Sequence, residues 1–473
     1  MKRFEQLAQD LADLIRTGTL RPGERIPSVR MASRQYNVSP STVFRAYYAL
    51  ENLGLIHARP QSGYFVTSLT SHALPEADVP KREARTTPVD VSELVFSILR
   101  AMREASQVPL GSAFPSPNLF PLQRLARSMA RATRLMDVNS VVADLPPGNL
   151  QLRRQIAVRY GISGVSVPVE DILVTDGALE ALNLCLQALT QPGDKVAIEA
   201  PAFYACLQVL ERLQLQAVEI PVSASGGIDL AVLERALQQH DIKACWFMTN
   251  FQNPTGVSLE SERKRQLVEL LHQHQVPLVE DDVYGELYFG HQAPVMAKSF
   301  DRDGLVLHCS SFSKCLAPGY RVGWVSAGRY QERLQRLKLM TTLSASIPAQ
   351  AALADYLEHG GFDRHLRALR GRLETQKNQM FAAIDRHFPA EVRVTRPAGG
   401  YFLWLELPAS IDSLELFRRA AEAGISIAPG PMFSATRSFA HCLRLNFGHP
   451  WSPELEAAMA TLGRLLCGTF RPN

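Results

Sequence analysis

Ser311-Phe312-Ser313-Lys314, with Arg321 seven residues past the lysine, brings a primary amine, two hydroxyls and a guanidinium into one short run. An amine beside cationic groups is a nucleophile toward carbonyls, because its pKa falls. Hydroxyls and a guanidinium are the usual holders of an anion such as phosphate. A lone Ser-x-Ser-Lys is weak evidence, since most lysines are simply solvated. Four further signals stand at strand ends: Gly177-Ala178-Leu179, Pro201-Ala202-Phe203, Asn253-Pro254-Thr255-Gly256 and Glu280-Asp281-Asp282-Val283-Tyr284. Together they offer a helix N-terminus, an aromatic ring, an amide, a carboxylate and a phenol to one ligand.

The elements that must position these groups alternate. Strand-like apolar runs at Ile172–Val174, Lys195–Glu199, Ala244–Thr249, Pro277–Glu280, Leu305–His308 and Gly323–Ala327 are separated by helical stretches. That alternation predicts an α/β domain with a large, mostly parallel sheet. The last ~100 residues hold helices and a short β region at Tyr401–Glu406 and His441–Asn446, which predicts a smaller α+β lobe.

The first 67 residues read differently. Phe4, Leu7, Leu11, Leu14 and Ile15 form a helical stripe that Gly18 and Pro22-Gly23 stop. Ser28 is placed to cap a short helix to about Tyr36, Asn37-Val38 to turn, and Ser39-Pro40 to start another helix, serine as cap and proline first inside. Leu55 to Val66 then alternates around Gln61-Ser62-Gly63, a hairpin. Three helices and a hairpin predict a winged helix-turn-helix. Its second motif helix presents Ser39, Ser41, Thr42 and Arg45 to a major groove, with Arg30 on the preceding helix and Gln61, Ser62 and Gly63 at the wing tip. The charge agrees, for the whole-chain excess of +4 equals that of residues 1–67, where nine Lys/Arg meet five acids.

Residues 68–90, rich in Pro, Ser, Thr and charge, read as a linker, giving domains at 1–67 and 91–473. The charged start at Lys2, Arg3, Glu5 and Asp10 is not a signal peptide, and no apolar run nears the ~20 residues of a membrane span. Seven cysteines, without a C-x-x-C pair, read as reduced core residues of a cytoplasmic protein, with no metal site expected.

Gly23-Glu-Arg-Ile-Pro-Ser-Val-Arg30, Ser39-x-Ser-Thr-Val43 and the Gly63-Tyr-Phe-Val66 wing resemble the GntR family of bacterial DNA-binding domains, over residues 3–67. The five ordered signals of the body resemble the fold-type I pyridoxal-phosphate enzymes of the aspartate aminotransferase family, over residues 91–473. That second resemblance implies pyridoxal 5′-phosphate, bound as a Schiff base to Lys314. It implies Asp281 on the pyridine nitrogen, Asn253 and Tyr284 on the phenolate oxygen, and Phe203 on the ring. It also implies a phosphate cup of Gly177, Ala178, Leu179, Ser311, Ser313 and Arg321. Leu443-Arg444-Leu-Asn446 resembles the family's carboxylate-binding arginine, and Leu110–Pro115 and Pro147–Arg153 its entry and dimer segments. Two departures stand out. Ala178 replaces a hydroxyl residue of the phosphate cup, and Ala143 lies where relatives place a tyrosine reaching the neighbouring subunit's phosphate.

A GntR-like head on an aminotransferase-like body resembles the MocR (GabR-like) transcription regulators. The resemblance implies a homodimer that binds paired half-sites of double-stranded DNA and senses the vitamin B6 cofactor or an amino acid through Lys314. The rival expectation is a working aminotransferase of an α-amino acid carrying a DNA-binding head.

Overall fold

The hydroxyl of Ser28 accepts from the Met31 amide at 3.3 Å and that of Ser39 from Thr42 at 3.2 Å, so both expected caps start helices in the computed structural model. The residues described are 3–16, 19–21, 23–52, 55–59, 63–66, 75–77, 84, 86–102, 107–137, 139, 145–223, 226–290 and 292–469. Helices Arg3–Arg16, Val29–Gln35 and Pro40–Asn52 are followed by strands β1 (Ile56–Arg59) and β2 (Gly63–Val66), paired antiparallel. Leu7, Leu11, Ile15, Val43, Tyr47, Leu50 and Val66 form the core of this head. Asn37, at φ +49°, makes the turn between the two motif helices, and the Ser33 hydroxyl fastens it by donating to the Val38 carbonyl. Residues 23–26 lie along β2, with Gly23 and Ile26 amides donating to the Val66 and Tyr64 carbonyls, which stiffens the wing. Gln61 and Ser62 lie outside the described residues.

The body is built on a nine-stranded sheet whose members are β3 (Thr86–Pro88), β4 (Ile172–Thr175), β5 (Lys195–Ala200), β6 (Gln216–Ser223), β7 (Gly227–Ile228), β8 (Ile242–Phe247), β9 (Leu278–Asp281), β10 (Val306–Ser311) and β11 (Gly323–Ser326). Along the order β3-β6-β5-β8-β9-β10-β11-β4, the run from β6 to β10 is parallel and β11 is antiparallel to both neighbours. Strands β4, β9, β10 and β11 are buried at every residue, as expected for strands covered on both faces by helices. The stretch read as a linker does not end outside the fold: Thr86–Pro88 is an edge strand paired antiparallel with β6, and Val89 is buried. Three residues containing Pro88 carry too little pattern to announce a strand, and an edge tolerates proline.

A second sheet, antiparallel throughout, joins β12 (Arg393–Val394), β13 (Phe402–Glu406), β15 (Cys442–Asn446) and β14 (Ala428–Pro429) in that order. Together with helices Ser413–Glu422 and Pro453–Thr469 it makes the smaller lobe. The functional residues gather where the parallel strands end at their carboxyl termini, the usual ligand crevice of an open α/β sheet. Among the described residues, no helix is long and apolar enough to cross a membrane.

Candidate functional site

Lys314 follows β10 by three residues. Phe312 is buried against Trp324, 4.9 Å between ring centroids, and this packing anchors the turn that carries the lysine. The Lys314 Nζ donates to the Ala113 carbonyl at 3.1 Å and sits 3.9 Å from the Phe114 ring centroid. Burial lowers its pKa from 10.5 to about 7, the Arg444 and Arg321 charges add to the fall, and Asp281 opposes it. Close to neutrality, this amine is half unprotonated.

Asp281 closes β9 and is buried. Burial, with the Asp282 charge beside it, raises its pKa to about 7, against a hydrogen bond from Trp246 and the Lys314 charge. Among the described residues, one oxygen, Oδ1, has no hydrogen-bond partner. Its neighbour Asp282 is committed elsewhere. There Oδ2 lies 3.2 Å from the His308 Nε2, His308 Nδ1 lies 2.7 Å from the Tyr160 hydroxyl, and Oδ1 accepts from Asn250 at 3.0 Å. Of two adjacent acids, only Asp281 keeps an oxygen for a ligand, and a buried orphan acceptor of this kind calls for a donor.

Asn253 and Tyr284 meet at 3.5 Å, Nδ2 to hydroxyl, at the ends of β8 and β9. The side-chain Oδ1 of Asn253 also accepts from Arg444 Nη1 at 2.8 Å. Arg444 is buried on β15, where Nη2 donates to the carbonyls of Gly111 at 2.6 Å and Ser112 at 3.2 Å. Among the described residues its Nε has no partner, and the Phe402 ring lies 4.1 Å below the guanidinium. Burial lowers its pKa while leaving it a cation, and none of these contacts is a carboxylate. A buried guanidinium with a spare N–H and no counter-ion is prepared for an anion.

The anion cup forms between β4, β10 and β11. Gly177, at φ +80°, precedes helix Ala178–Leu189, and a Cβ there would run into the Arg321 guanidinium. A Cβ on Gly323 would meet the Gly177 carbonyl carbon at 2.5 Å, so both glycines permit the close approach. Arg321 Nη1 donates to the Ser313 hydroxyl at 3.2 Å, and the Ser313 amide to the Ser311 hydroxyl at 3.3 Å. The first amides of the helix, at Ala178 and Leu179, have no acceptor within it and stand beside Gly177 at its N-terminus. Phe203, half-buried, caps helix Tyr204–Arg212 at the end of β5.

An electron-poor pyridine with an aldehyde and a phosphate matches this donor set. Asp281 Oδ1 lacks the donor a protonated ring nitrogen supplies, Lys314 offers a reactive amine, and the cup offers amides, two serines and a guanidinium. The residues present fit pyridoxal 5′-phosphate.

In the head, Ser39, Ser41 and Thr42 stand at the start of helix Pro40–Asn52, but they bond to one another. The Ser39 hydroxyl lies 2.8 Å from both the Ser41 and the Thr42 hydroxyls. Arg45 lies with its guanidinium 4.2 Å from the Phe4 ring centroid, and Arg30 is exposed. Gly63 has the Arg25 side chain 3.3 Å from where a Cβ would stand. Ala143 lies outside the described residues.

Sequence reasoning missed several partners. Asn446 donates to the Ser112 and Phe114 carbonyls, Tyr401 donates to the Ala113 carbonyl, and together they hold the Gly111–Phe114 segment over Lys314. Asn446 had a signal: it lies two residues after Arg444 on one strand, hence on the same face. Tyr401, just before β13, Trp246 on β8 and Glu199 on β5, whose Oε2 accepts from the Met248 amide at 3.1 Å, come from distant parts of the chain and had none.

Comparison with known proteins agrees with both halves. Residues 3–66 match the model of the bacterial regulatory proteins of the gntR family, and residues 115–462 that of aminotransferase class I and II. The chain is 48% identical over 468 residues to the uncharacterized HTH-type transcriptional regulator YdcR of Escherichia coli (strain K12), covering 98% of this chain and 99% of that protein. It is 29% identical over 363 residues to aromatic-amino-acid aminotransferase 1 of Thermococcus litoralis, covering 75% of this chain and 86% of the other. Among solved structures, Pyrococcus horikoshii kynurenine aminotransferase, crystallised with PMP, superimposes with a TM-score of 0.75 at 28% identity, covering 81% of this chain and 96% of that one.

Proposed function

The chain belongs to the aminotransferase class I and II family and carries a gntR-family bacterial regulatory domain at its head, and on that premise we propose a transcription regulator that binds pyridoxal 5′-phosphate and answers to an amino compound. The observation that carries this reading is a reactive amine, Lys314, and an orphan acid, Asp281, in one crevice of a chain that begins with a DNA-reading fold. The relatives covering the whole chain, YdcR among them, are HTH-type transcriptional regulators.

When bound, the cofactor supplies an aldehyde for a primary amine and a ring that draws electrons away from the carbon attached. The chain's residues do the rest. Lys314, with a pKa of about 7, gives up and regains a proton at Nζ near neutrality. Asp281 Oδ1 would accept from the ring nitrogen and keep it protonated, and Asn253 and Tyr284 would donate to the phenolate oxygen. Arg444 takes the carboxylate of an amino acid with its spare Nε–H, and the Ala113–Phe114 segment shields the amine from water. A ligand that binds Arg444 and competes for the carbonyl contacts of Gly111 and Ser112 favours one arrangement of that segment over another. Such differential contact is the physical requirement for signalling to the head.

The head would extend over residues 1–67, the body over 91–473, and the chain would act in the cytoplasm as a homodimer. Exposed apolar side chains support the dimer: Leu179, Leu339, Met340 and Leu343 flank the anion cup. Buried Lys338 holds this face in place through Asp176 at 3.0 Å and Glu180 at 2.7 Å. A working aminotransferase is the second reading, favoured by the same Lys314, because an amine titrating near 7 suits proton transfer in both directions.

The test is retardation of DNA from upstream of its own gene by the full chain, with and without pyridoxal phosphate and amino acids. The regulator reading expects retardation that these compounds alter, and Lys314→Ala to abolish the alteration but keep the retardation. Indifference of the wild-type protein to every such compound would overturn it.

A further inference from the structure

Helix Pro40–Asn52 turns Val43, Ala46, Tyr47 and Leu50 into the core of the head, all fully buried. The opposite side is where a groove-reading helix meets bases. In polar terms it is poorly equipped. The hydroxyls of Ser39, Ser41 and Thr42 are tied together at 2.8 Å, and the Ser39 oxygen also caps the Thr42 amide. Arg45 is drawn onto the Phe4 ring. What this side offers instead is apolar: Phe44 and Tyr48 are 54% and 66% exposed, one helical turn apart. Large aromatic side chains in water on a small domain mark a contact surface.

Its charge says what the surface meets. Helices Val29–Gln35 and Pro40–Asn52 carry Arg30, Arg34 and Arg45 against the single acid Glu51, so the aromatic pair sits on a motif of net positive charge. The phosphates that border a major groove complement that charge, and the apolar group a major groove displays is the thymine methyl.

We propose that Phe44 and Tyr48 are specificity-determining residues that read thymine methyl groups in the major groove, so that each half-site has a thymine pair at fixed spacing. This rests on the DNA-binding reading above. Four residues of helix rise about 6 Å, close to two base-pair steps of about 3.4 Å. The two methyls therefore lie about two base pairs apart within one half-site.

The experiment first selects duplexes from a random library with the full-length protein, then remakes the selected site with deoxyuridine in place of thymidine, one position at a time. Removing one methyl is expected to weaken binding about fourfold at each of two positions about two base pairs apart, and about fifteenfold at both together. Phe44→Ala should lose sensitivity to one methyl and Tyr48→Ala to the other, each binding thymine and uracil sites equally there. Both side chains are exposed, so the variants should melt as the parent does. Equal affinity for thymine and uracil at every position overturns the proposal while leaving DNA binding intact. So does a changed oligomeric state with unchanged DNA affinity, which would assign the pair to a second copy of the chain. Failure to select any duplex removes the DNA-binding reading itself.

Discussion

Asp281→Asn is isosteric and removes a buried charge, one of whose oxygens has no partner among the described residues, so its effect on the cofactor-free protein can be calculated. The native carboxyl titrates at about 7, against an ordinary 3.8. Below pH 3.8 both folded and unfolded chains hold the proton and the acid costs nothing. Between 3.8 and 7 the unfolded chain ionises while the native acid stays protonated, so stability falls by about 1.4 kcal/mol per pH unit. Above 7 both are ionised and the deficit is constant at about 4 kcal/mol. Asparagine carries no such deficit, so the variant's advantage should be about 2 kcal/mol at pH 5 and about 4 kcal/mol at pH 8. Urea unfolding of the two cofactor-free proteins at pH 5, 6, 7 and 8 reads this difference directly. With cofactor the order should narrow or invert, because only the carboxylate satisfies a protonated ring nitrogen. A variant no more stable than wild type at pH 8, or a difference flat in pH, would mean that burial does not hold the Asp281 carboxyl above its ordinary range.

Other outcomes follow from single contacts. Arg321→Ala should weaken pyridoxal 5′-phosphate about 10- to 100-fold in a fluorescence titration, the worth of one charge-assisted bond, and leave unphosphorylated pyridoxal unaffected. Arg444→Lys keeps the charge but not the forked geometry; amino acids should perturb the visible spectrum at least tenfold more weakly, with labelling of Lys314 preserved. Arg30→Ala should weaken retardation of all DNA sequences alike and lower the slope of affinity against salt by about one.

Much of this was legible because the chemistry sits at strand ends, and strand ends are where apolar runs stop. Ile172–Thr175 and Val306–Ser311 are apolar enough to be found by composition, and Gly177 and Lys314 follow within three residues. The Ser28 and Ser39-Pro40 caps carry their own signature. By contrast, β6 (Gln216–Ser223) mixes Glu219 and Pro221 into its length and gave no strand signal, although it lies between β3 and β5. Pairings such as Tyr401 with Ala113, 288 positions apart, depend on packing that no local pattern encodes. Internal hydrogen bonding was equally hidden: three hydroxyls at a helix start look free in a sequence, and the structure spends them on each other.

Adding the cofactor to the full-length protein, reducing with borohydride and mapping the modified peptide by mass spectrometry across pH shows whether residue 314 is a reactive amine in a pyridoxal 5′-phosphate site. The expected label falls on Lys314 alone, with a rate that is half-maximal near pH 7 rather than near the 10.5 of an ordinary lysine. Label spread over surface lysines, or undiminished in Lys314→Ala, would contradict it.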